Sequence, residues 1–195
     1  MTTTHASSLR MDADHRYWLN DRELISVTTA LKEAGMVDTA WFSLDAAERG
    51  TYVHQACDLL DDDNLGSYLP TVNGYVDAYR QFQQDLNPAW MQRERAVCDA
   101  VLGYAGTLDR AGYLRGRWSL LDIKTGPPAP WHGLQLAAYA RLALSPDGLK
   151  PDRFDLYLTK HGTYRLVKQD ARTDEGEFLA ALTVAKYRRR HGLCD

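Results

Sequence analysis

The sequence predicts an α/β (α+β) domain with a central mixed β-sheet flanked by helices. Three observations predict it. Short runs of strand-forming residues bracket turn signals near the start, in RYWLNDRELISV, and near the end, in DRFDLYLTK and TYRLVKQ. Further strand-like runs follow one another between residues 90 and 124. Stretches with apolar residues at helical spacing separate and flank these runs.

Each element has its own signal. Asn20-Asp21 marks a turn between two short strands in RYWLNDRELISV, and SVTTALKEAG then begins a helix on Ser or Thr caps and stops it at Gly35. From about Thr39 to Leu60, TAWFSLDAAERGTYVHQACDLL places Val53, Ala56, Cys57 and Leu60 at helical spacing, and DDDNLGS ends the run. NGYVDAYRQFQQDL predicts a second helix that stops before Pro88. WMQRERAVC, VLGYAGTLD and RWSLLDIK are the next strands. The Pro-rich lead of TGPPAPWHGLQLAAYARLAL suits a helix start, and its body is apolar on nearly every face, as in a mostly buried helix. A hairpin around His161-Gly162 follows, and the closing helix, TDEGEFLAALTVAKYRRR, is acidic in its first turn and basic in its last.

At 195 residues, 45% hydrophobic and 25% charged, the chain has the composition of one globular domain spanning 1–195, with 1–16 expected as a flexible N-terminal segment. No apolar run reaches bilayer length, and MTTTHASSLRMDADHR lacks the apolar stretch of a secretory signal, so a cytoplasmic protein without a membrane partner is expected. Three cysteines, Cys57, Cys98 and Cys194, without CxxC spacing indicate neither a disulfide framework nor a zinc knuckle. The net charge of −3 conceals a division. Residues 1–109 hold 8 Lys+Arg against 17 Asp+Glu, while residues 110–195 hold 15 against 9. A basic half can face phosphates and an acidic half can gather around cations, although charge alone is equally the mark of a solvated surface.

The stretch SLLDIKTG carries the chemistry. In a strand, Asp122 and Lys124 project to one face while Leu121 and Ile123 project to the other. If the preceding strand pairs with it through a hairpin centred on Arg115-Gly116, opposed residue numbers sum to 231 and Asp109 lies across from Asp122. Facing carboxylates repel unless they share a cation or a proton. Mg²⁺ or Mn²⁺ suits such a site, with the Ile123 carbonyl as a further oxygen ligand. Lys124 can then orient water or stabilise the charge that develops on phosphorus oxygens. A simple salt bridge among Asp109, Asp122 and Lys124 accounts for the same triplet.

Other positions lean either way. His54 lies mid-helix four residues after Gly50, whose missing side chain would let that face approach the sheet. Gln135 and Tyr139 share a helical face; they either pair structurally or contact the lysine, metal-associated water or a phosphate. Trp41, Trp90 and Trp131 are of core type, and can also stack on unpaired bases. In KYRRRHG, basic residues oppose the helix macrodipole; alternatively Lys186, Arg188, Arg189 and Arg190 track DNA phosphates.

GTYVH, GYAGTLDR, LLDIKTG and QLAAY, in this order, resemble the motifs of the PD-(D/E)XK nuclease superfamily, in its RecB-like exonuclease branch. The likeness extends over most of the chain. It implies a restriction-endonuclease-like core, with His54, Asp109 and Asp122 as metal ligands, Lys124 as the catalytic lysine and Gln135 with Tyr139 as the branch's Q-x-x-x-Y motif. Glu94 resembles an acidic accessory position of the branch, whereas Glu48 is about 240° from His54 around an ideal helix and is excluded as a co-ligand.

The resemblance implies a metal-dependent DNA exonuclease, using Mg²⁺ or Mn²⁺ and leaving 5′-phosphates, akin to the small stand-alone phage members of the branch. DNA, at single-stranded or duplex ends, is the implied partner, with recombination, repair or replication proteins as further ones. Iron-sulfur members require four cysteines, so no iron-sulfur cluster is expected. The absence of G-x-x-x-x-G-K-[ST] argues against an ATPase. A structure-specific endonuclease or a non-catalytic DNA-binding scaffold on the same core remain the alternatives.

Overall fold

A computed structural model describes residues 8–38, 43–66 and 68–193. It is a mixed α/β structure with helices on both faces of an eight-stranded mixed sheet. The chain runs β1 (Leu9–Met11), β2 (Tyr17–Leu19), β3 (Arg22–Ser26), α1 (Val27–Glu33), α2 (Leu44–Asp61) and α3 (Asn73–Leu86). It continues through β4 (Ala89–Asp99), β5 (Tyr104–Leu114), β6 (Arg117–Lys124), α4 (Trp131–Ala140), β7 (Asp152–Leu158), β8 (Tyr164–Lys168) and α5 (Asp174–Arg190). The predicted elements are present in the predicted order, and three boundaries differ.

The sheet begins earlier than the strand signals marked, because β1 pairs with β2 and Asp12 ties their turn. Its carboxylate accepts from the backbone of Asp14 and Arg16 and from the Trp18 indole, and these bonds hold it below the ordinary carboxylate range. Ser43 caps α2 by accepting from the Ala46 N–H, so the helix expected from Thr39 begins at Leu44; residues 39–42, including Trp41, lie outside those described. Val101–Gly103, expected in a strand, form a turn, because the Asp99 carboxylate accepts from the Val101 and Leu102 N–H groups.

Arg115 and Gly116, at φ 51° and 75°, form the left-handed pair that a two-residue hairpin demands. The resulting β5–β6 register sums to 231, as predicted, from Leu114–Arg117 to Arg110–Leu121. Alternation along β6 then divides the core. Leu120 packs with α1, α4 and α5, while Leu121 and Ile123 pack with α2 and α3.

The sheet forks at β5. One edge of β5 pairs with β4 along nearly its whole length. The other edge is shared: β3 takes Tyr104 and Ala105 in parallel, and β6 takes Arg110–Leu114 in antiparallel. Residues 106–109 lie in the gap between these two ladders. Across it the Tyr139 ring packs on Gly106, where an added Cβ would sit 2.5 Å from Tyr139 Cε1. Gly106 therefore has the close-approach role that was expected of Gly50; around Gly50 an added Cβ meets nothing within 4 Å.

This contact yields a test. Gly106→Ala is expected to destabilise the domain by about 1–3 kcal/mol through overpacking against a buried ring. Tyr139→Leu in the same chain should recover part of that loss, and a urea double-mutant cycle measures the coupling. Strict additivity of the two changes would remove the steric explanation.

Candidate active site

His54 stands midway along α2, beside the buried Val53, Ala56 and Cys57 that seat the helix on the sheet. Its Nε2 lies 3.0 Å from the Ile123 carbonyl, which leaves Nδ1 facing Asp109 Oδ2 at 3.5 Å and Glu94 Oε1 at 3.7 Å. Asp109 comes from the gap in the β5 edge. Its Oδ2 accepts from the Ile123 N–H at 2.6 Å, replacing the ladder partner that β6 loses once the β5–β6 pairing has ended. Glu94 is opposite Asp109 on β4 and has φ 41°, a left-handed conformation that a non-glycine strand residue adopts only when its surroundings hold it there.

One ligand atom from each of His54, Glu94 and Asp109 falls within 4.8 Å of the others. This donor set of one imidazole nitrogen and two carboxylates is compatible with a divalent cation, and a ring whose other nitrogen is fixed by a backbone carbonyl is the usual posture of a ligating histidine. Sequence reasoning gave Glu94 only an accessory place, yet the geometry makes it a full member. The other expected ligands adjoin this cluster: Asp122, which acts on Asp109, also pairs through Oδ2 with Lys124 Nζ at 2.5 Å, and the Ile123 carbonyl lies 3.0 Å from His54 Nε2.

The electrostatics follow from burial and crowding. Burial pushes Asp109 up to about 7; nearby Asp122 and Glu94 add to this, and His54 opposes it. Burial alone would lower His54, but Asp109 and Glu94 outweigh it and raise the ring to about 9. Burial likewise raises Glu94, but its neighbours His54 and Arg110 bring it below the ordinary value.

On the α4 side of the sheet, Lys124 Nζ also donates to Gln135 Oε1 at 2.6 Å and lies 5.2 Å from the centroid of the Trp131 ring. Lys124, Asp122 and Gln135 thus form one chain of contacts, while Tyr139 is held against Gly106. Burial, then Asp122, push the Tyr139 phenol well above its usual range. Lys186, Arg188 and Arg189 engage protein groups, namely the Leu102 carbonyl, the Leu193 carbonyl and Glu33. Arg190 is exposed. Trp90 stacks on Phe82 in the core, and Trp131 is half-buried at the start of α4. Cys57 and Cys98 are free thiols, and Cys194 lies outside the described residues.

Two supports were missed in the sequence. Fully buried Arg110 donates to Asp61 Oδ2 at 2.7 Å and to Glu94 Oε1 at 2.8 Å. Its signal was available in part: an arginine next to Asp109 on a strand that is otherwise largely apolar, if buried, must draw anions to itself. The second is a buried set around Asp155, which pairs with Asp122 in the parallel β6–β7 ladder. Burial, then Asp122, raise Asp155 to about 6, and Gln169 Nε2 donates to it at 2.6 Å. His132 Nδ1 lies 2.8 Å from the neighbouring Tyr157 hydroxyl.

No family model and no curated protein matches the sequence. Among solved structures, a candidate exonuclease from Eubacterium rectale is similar, at 15% identity and a TM-score of 0.57, over 88% of this chain and 83% of that one. LHK-Exo in complex with dAMP is 12% identical, with a TM-score of 0.38, over 87% of this chain and 93% of that one. The first likeness establishes a shared fold: a central mixed sheet flanked by helices, consistent with a nuclease-like core. Among the described residues no helix is long and apolar enough to cross a membrane.

Two predictions follow from these supports. Arg110→Met leaves Asp61 and Glu94 without their cation and is expected to cost about 3–5 kcal/mol. Adding Asp61→Leu should return part of it, and a loss under about 1 kcal/mol in chemical denaturation would show that Arg110 is not the tie. Burial, then Lys124, lower His132 from 6.5 to about 4 against the opposing pull of Asp122. A depressed histidine contributes stability above pH 6.5 that is lost as pH falls through 4, roughly 3 kcal/mol in all. The raised Asp155 runs the opposite way over part of this window, so the readout is the difference between wild type and His132→Gln. That difference should shrink from pH 7 to pH 4, and a flat difference would reject a buried neutral ring.

Proposed function

We propose that the chain is a Mg²⁺- or Mn²⁺-dependent deoxyribonuclease, acting as an exonuclease that leaves 5′-phosphates. The observation that carries this reading is the convergence of His54, Glu94 and Asp109 within 4.8 Å, beside a lysine held by a carboxylate and an amide. The motifs GTYVH, GYAGTLDR, LLDIKTG and QLAAY support it, as does a fold shared with a candidate exonuclease.

In this reading His54, Glu94 and Asp109 hold the ion, with Asp122 contributing charge from the next strand. The ion would supply Lewis acidity toward a phosphodiester oxygen and acidify water. Lys124 is the chain's own cation at the reacting phosphate. Asp122 and Gln135 fix its ammonium, so it can direct water or meet the charge that grows on the phosphoryl oxygens with little reorganisation. Gln135 positions Lys124, and Tyr139 keeps α4 seated in the sheet gap. DNA is the substrate, within recombination, repair or replication.

Lys124→Ala and Asp122→Ala are each expected to lower the rate on end-labelled linear DNA by about 10²–10³-fold or more, with circular dichroism unchanged; EDTA should do the same to wild type. Glu94→Gln should join them, while exposed Glu48→Gln should not. Full activity in both Lys124→Ala and Asp122→Ala would sink the mechanism. Cutting of covalently closed circles would reassign the protein as an endonuclease, and DNA binding without any turnover would leave a scaffold.

A further inference from the structure

The parallel register of β6 and β7 sets Tyr157 directly opposite Lys124. Paired strands run about 4.8 Å apart, so the two residues are lateral neighbours. Both side chains project toward α4, where Lys124 meets Gln135 and Tyr157 meets His132. The buried Tyr157 hydroxyl lies 2.8 Å from His132 Nδ1 and 3.4 Å from Asp155 Oδ2. Asp155 is itself fully buried, and its Oδ1 has no hydrogen-bond partner among the described residues.

α4 starts after Pro130 without a side-chain cap. Contacts from β7 tie its first turn instead: Tyr157 meets His132, and Arg153 donates to the Gly133 carbonyl at 3.2 Å. Arg153 pairs with Leu120 in the ladder, whereas Tyr157 stands at the level of Lys124. His132 is also next to both α4 groups that Lys124 uses. The Trp131 ring packs edge-on against the His132 ring, with centroids 4.3 Å apart, and lies 5.2 Å from Lys124 Nζ. Gln135, three residues after His132 and on the same helical face, accepts from Lys124 at 2.6 Å.

We propose that Tyr157 and His132 are positioning residues for Lys124. Tyr157, acting through His132, sets the depth and rotation of the first turn of α4, and that turn brings Gln135 and the Trp131 ring to the ammonium. The proposal rests on the nuclease reading for its consequence in a reaction.

Adhesion alone does not account for these residues. Apolar side chains of similar volume would hold α4 to the sheet without the cost of burying a hydroxyl, an imidazole and a carboxylate. What the hydrogen bond adds is direction, because it fixes a distance and an angle where apolar contact tolerates sliding. Lys124 needs that direction. Its ammonium carries three rotatable donors on a flexible stem, so its orientation is inherited from its acceptors. Those acceptors stand on different elements, Asp122 on β6 and Gln135 on α4, and they agree only while α4 keeps its place against the sheet.

The test is Tyr157→Phe in the full chain, which deletes the hydroxyl and keeps the ring. On end-labelled linear DNA, well below the melting transition, kcat should fall by about 10–100-fold, with KM unchanged, the pattern of a lost transition-state interaction. In a Gln135→Ala chain the same change should cost far less, because the route to the lysine is already cut, whereas a merely structural role predicts losses that add. A second readout needs no turnover. In ¹H–¹⁵N spectra of lysine-labelled protein, the Lys124 ammonium signal, identified by its loss in Lys124→Ala, should move or broaden in Tyr157→Phe as it does in Gln135→Ala. If Tyr157→Phe does not fold, His132→Leu removes the other end of the contact and is read in the same way. An unmoved Lys124 signal, or additive losses in the cycle, would overturn the positioning role. Wild type that digests DNA while Tyr157→Phe digests it equally well removes that role alone. Wild type that digests no DNA removes the nuclease reading, and the Lys124 signal then decides whether Tyr157 places the lysine.

Discussion

Arg110 is fully buried in the middle of β5, and a guanidinium cannot shed its charge to suit such a place. Anions must therefore come to it. Asp61 arrives from the last turn of α2 and Glu94 from β4, while Asp58 lies 3.8 Å from its outer nitrogen. Asp61, itself raised by burial, is satisfied in turn by the Tyr79 hydroxyl and the Gln83 amide of α3. One charge thus ties two strands and two helices. Glu94 is turned into the left-handed region on the same strand that delivers it to Arg110, and this also places it beside His54 and Asp109. That backbone strain, of order 1–3 kcal/mol, accompanies an ion pair that helps to satisfy the buried guanidinium.

The second constraint is the shared edge of β5. A strand that gives its two ends to different neighbours leaves a stretch of backbone edge unpaired between them, and buried edge groups must find other partners. Asp109 fills the vacancy by accepting the Ile123 N–H, and His54 reaches the Ile123 carbonyl from the α2 layer. The Ile123 peptide is thereby the junction between the His54, Glu94 and Asp109 cluster and the Lys124, Asp122 and Gln135 chain. Gly106 admits Tyr139 into the same gap, so α4 and its Gln135 are seated by the fork that creates the cluster.

Most of this was readable as local pattern. Strand and helix order, the Arg115-Gly116 turn and the 231 register follow from periodicity and turn chemistry, which act over a few residues. So did the common face of Asp122 and Lys124, because alternation is strict in a strand. What escaped depended on residues far apart in the chain. Asp61 and Arg110 are 49 positions apart and Gly106 meets a ring from α4, so no window of sequence contains either contact. The full place of Glu94 was hidden for a related reason: its strand alternation is broken by a positive φ that a charged residue does not announce. Gly50 misled because a glycine four residues before a candidate ligand histidine reads as a close approach, whereas its Cβ position is open.

The crowding of carboxylates gives the site its character. Asp109, Glu94 and Asp122 act on one another while Asp155 adjoins Asp122 in the next strand, and the cations set against them are Arg110, His54 and Lys124. Arg110 is committed to Asp61 as well as Glu94, and Lys124 to Asp122, so the burden of Asp109 falls on His54. The consequence is visible in both partners: Asp109 is pushed up to about 7 by burial and its anionic neighbours, and His54 is drawn up to about 9 against its own burial. Protons therefore balance this pocket when nothing else does. Any divalent cation held there must compete with them, because a ligating histidine is neutral and a ligating carboxylate is ionised. His54, Glu94 and Asp109 come from the first half of the chain, and Arg110, Lys124, Asp122 and Asp155 from the second, so neither half holds the site alone.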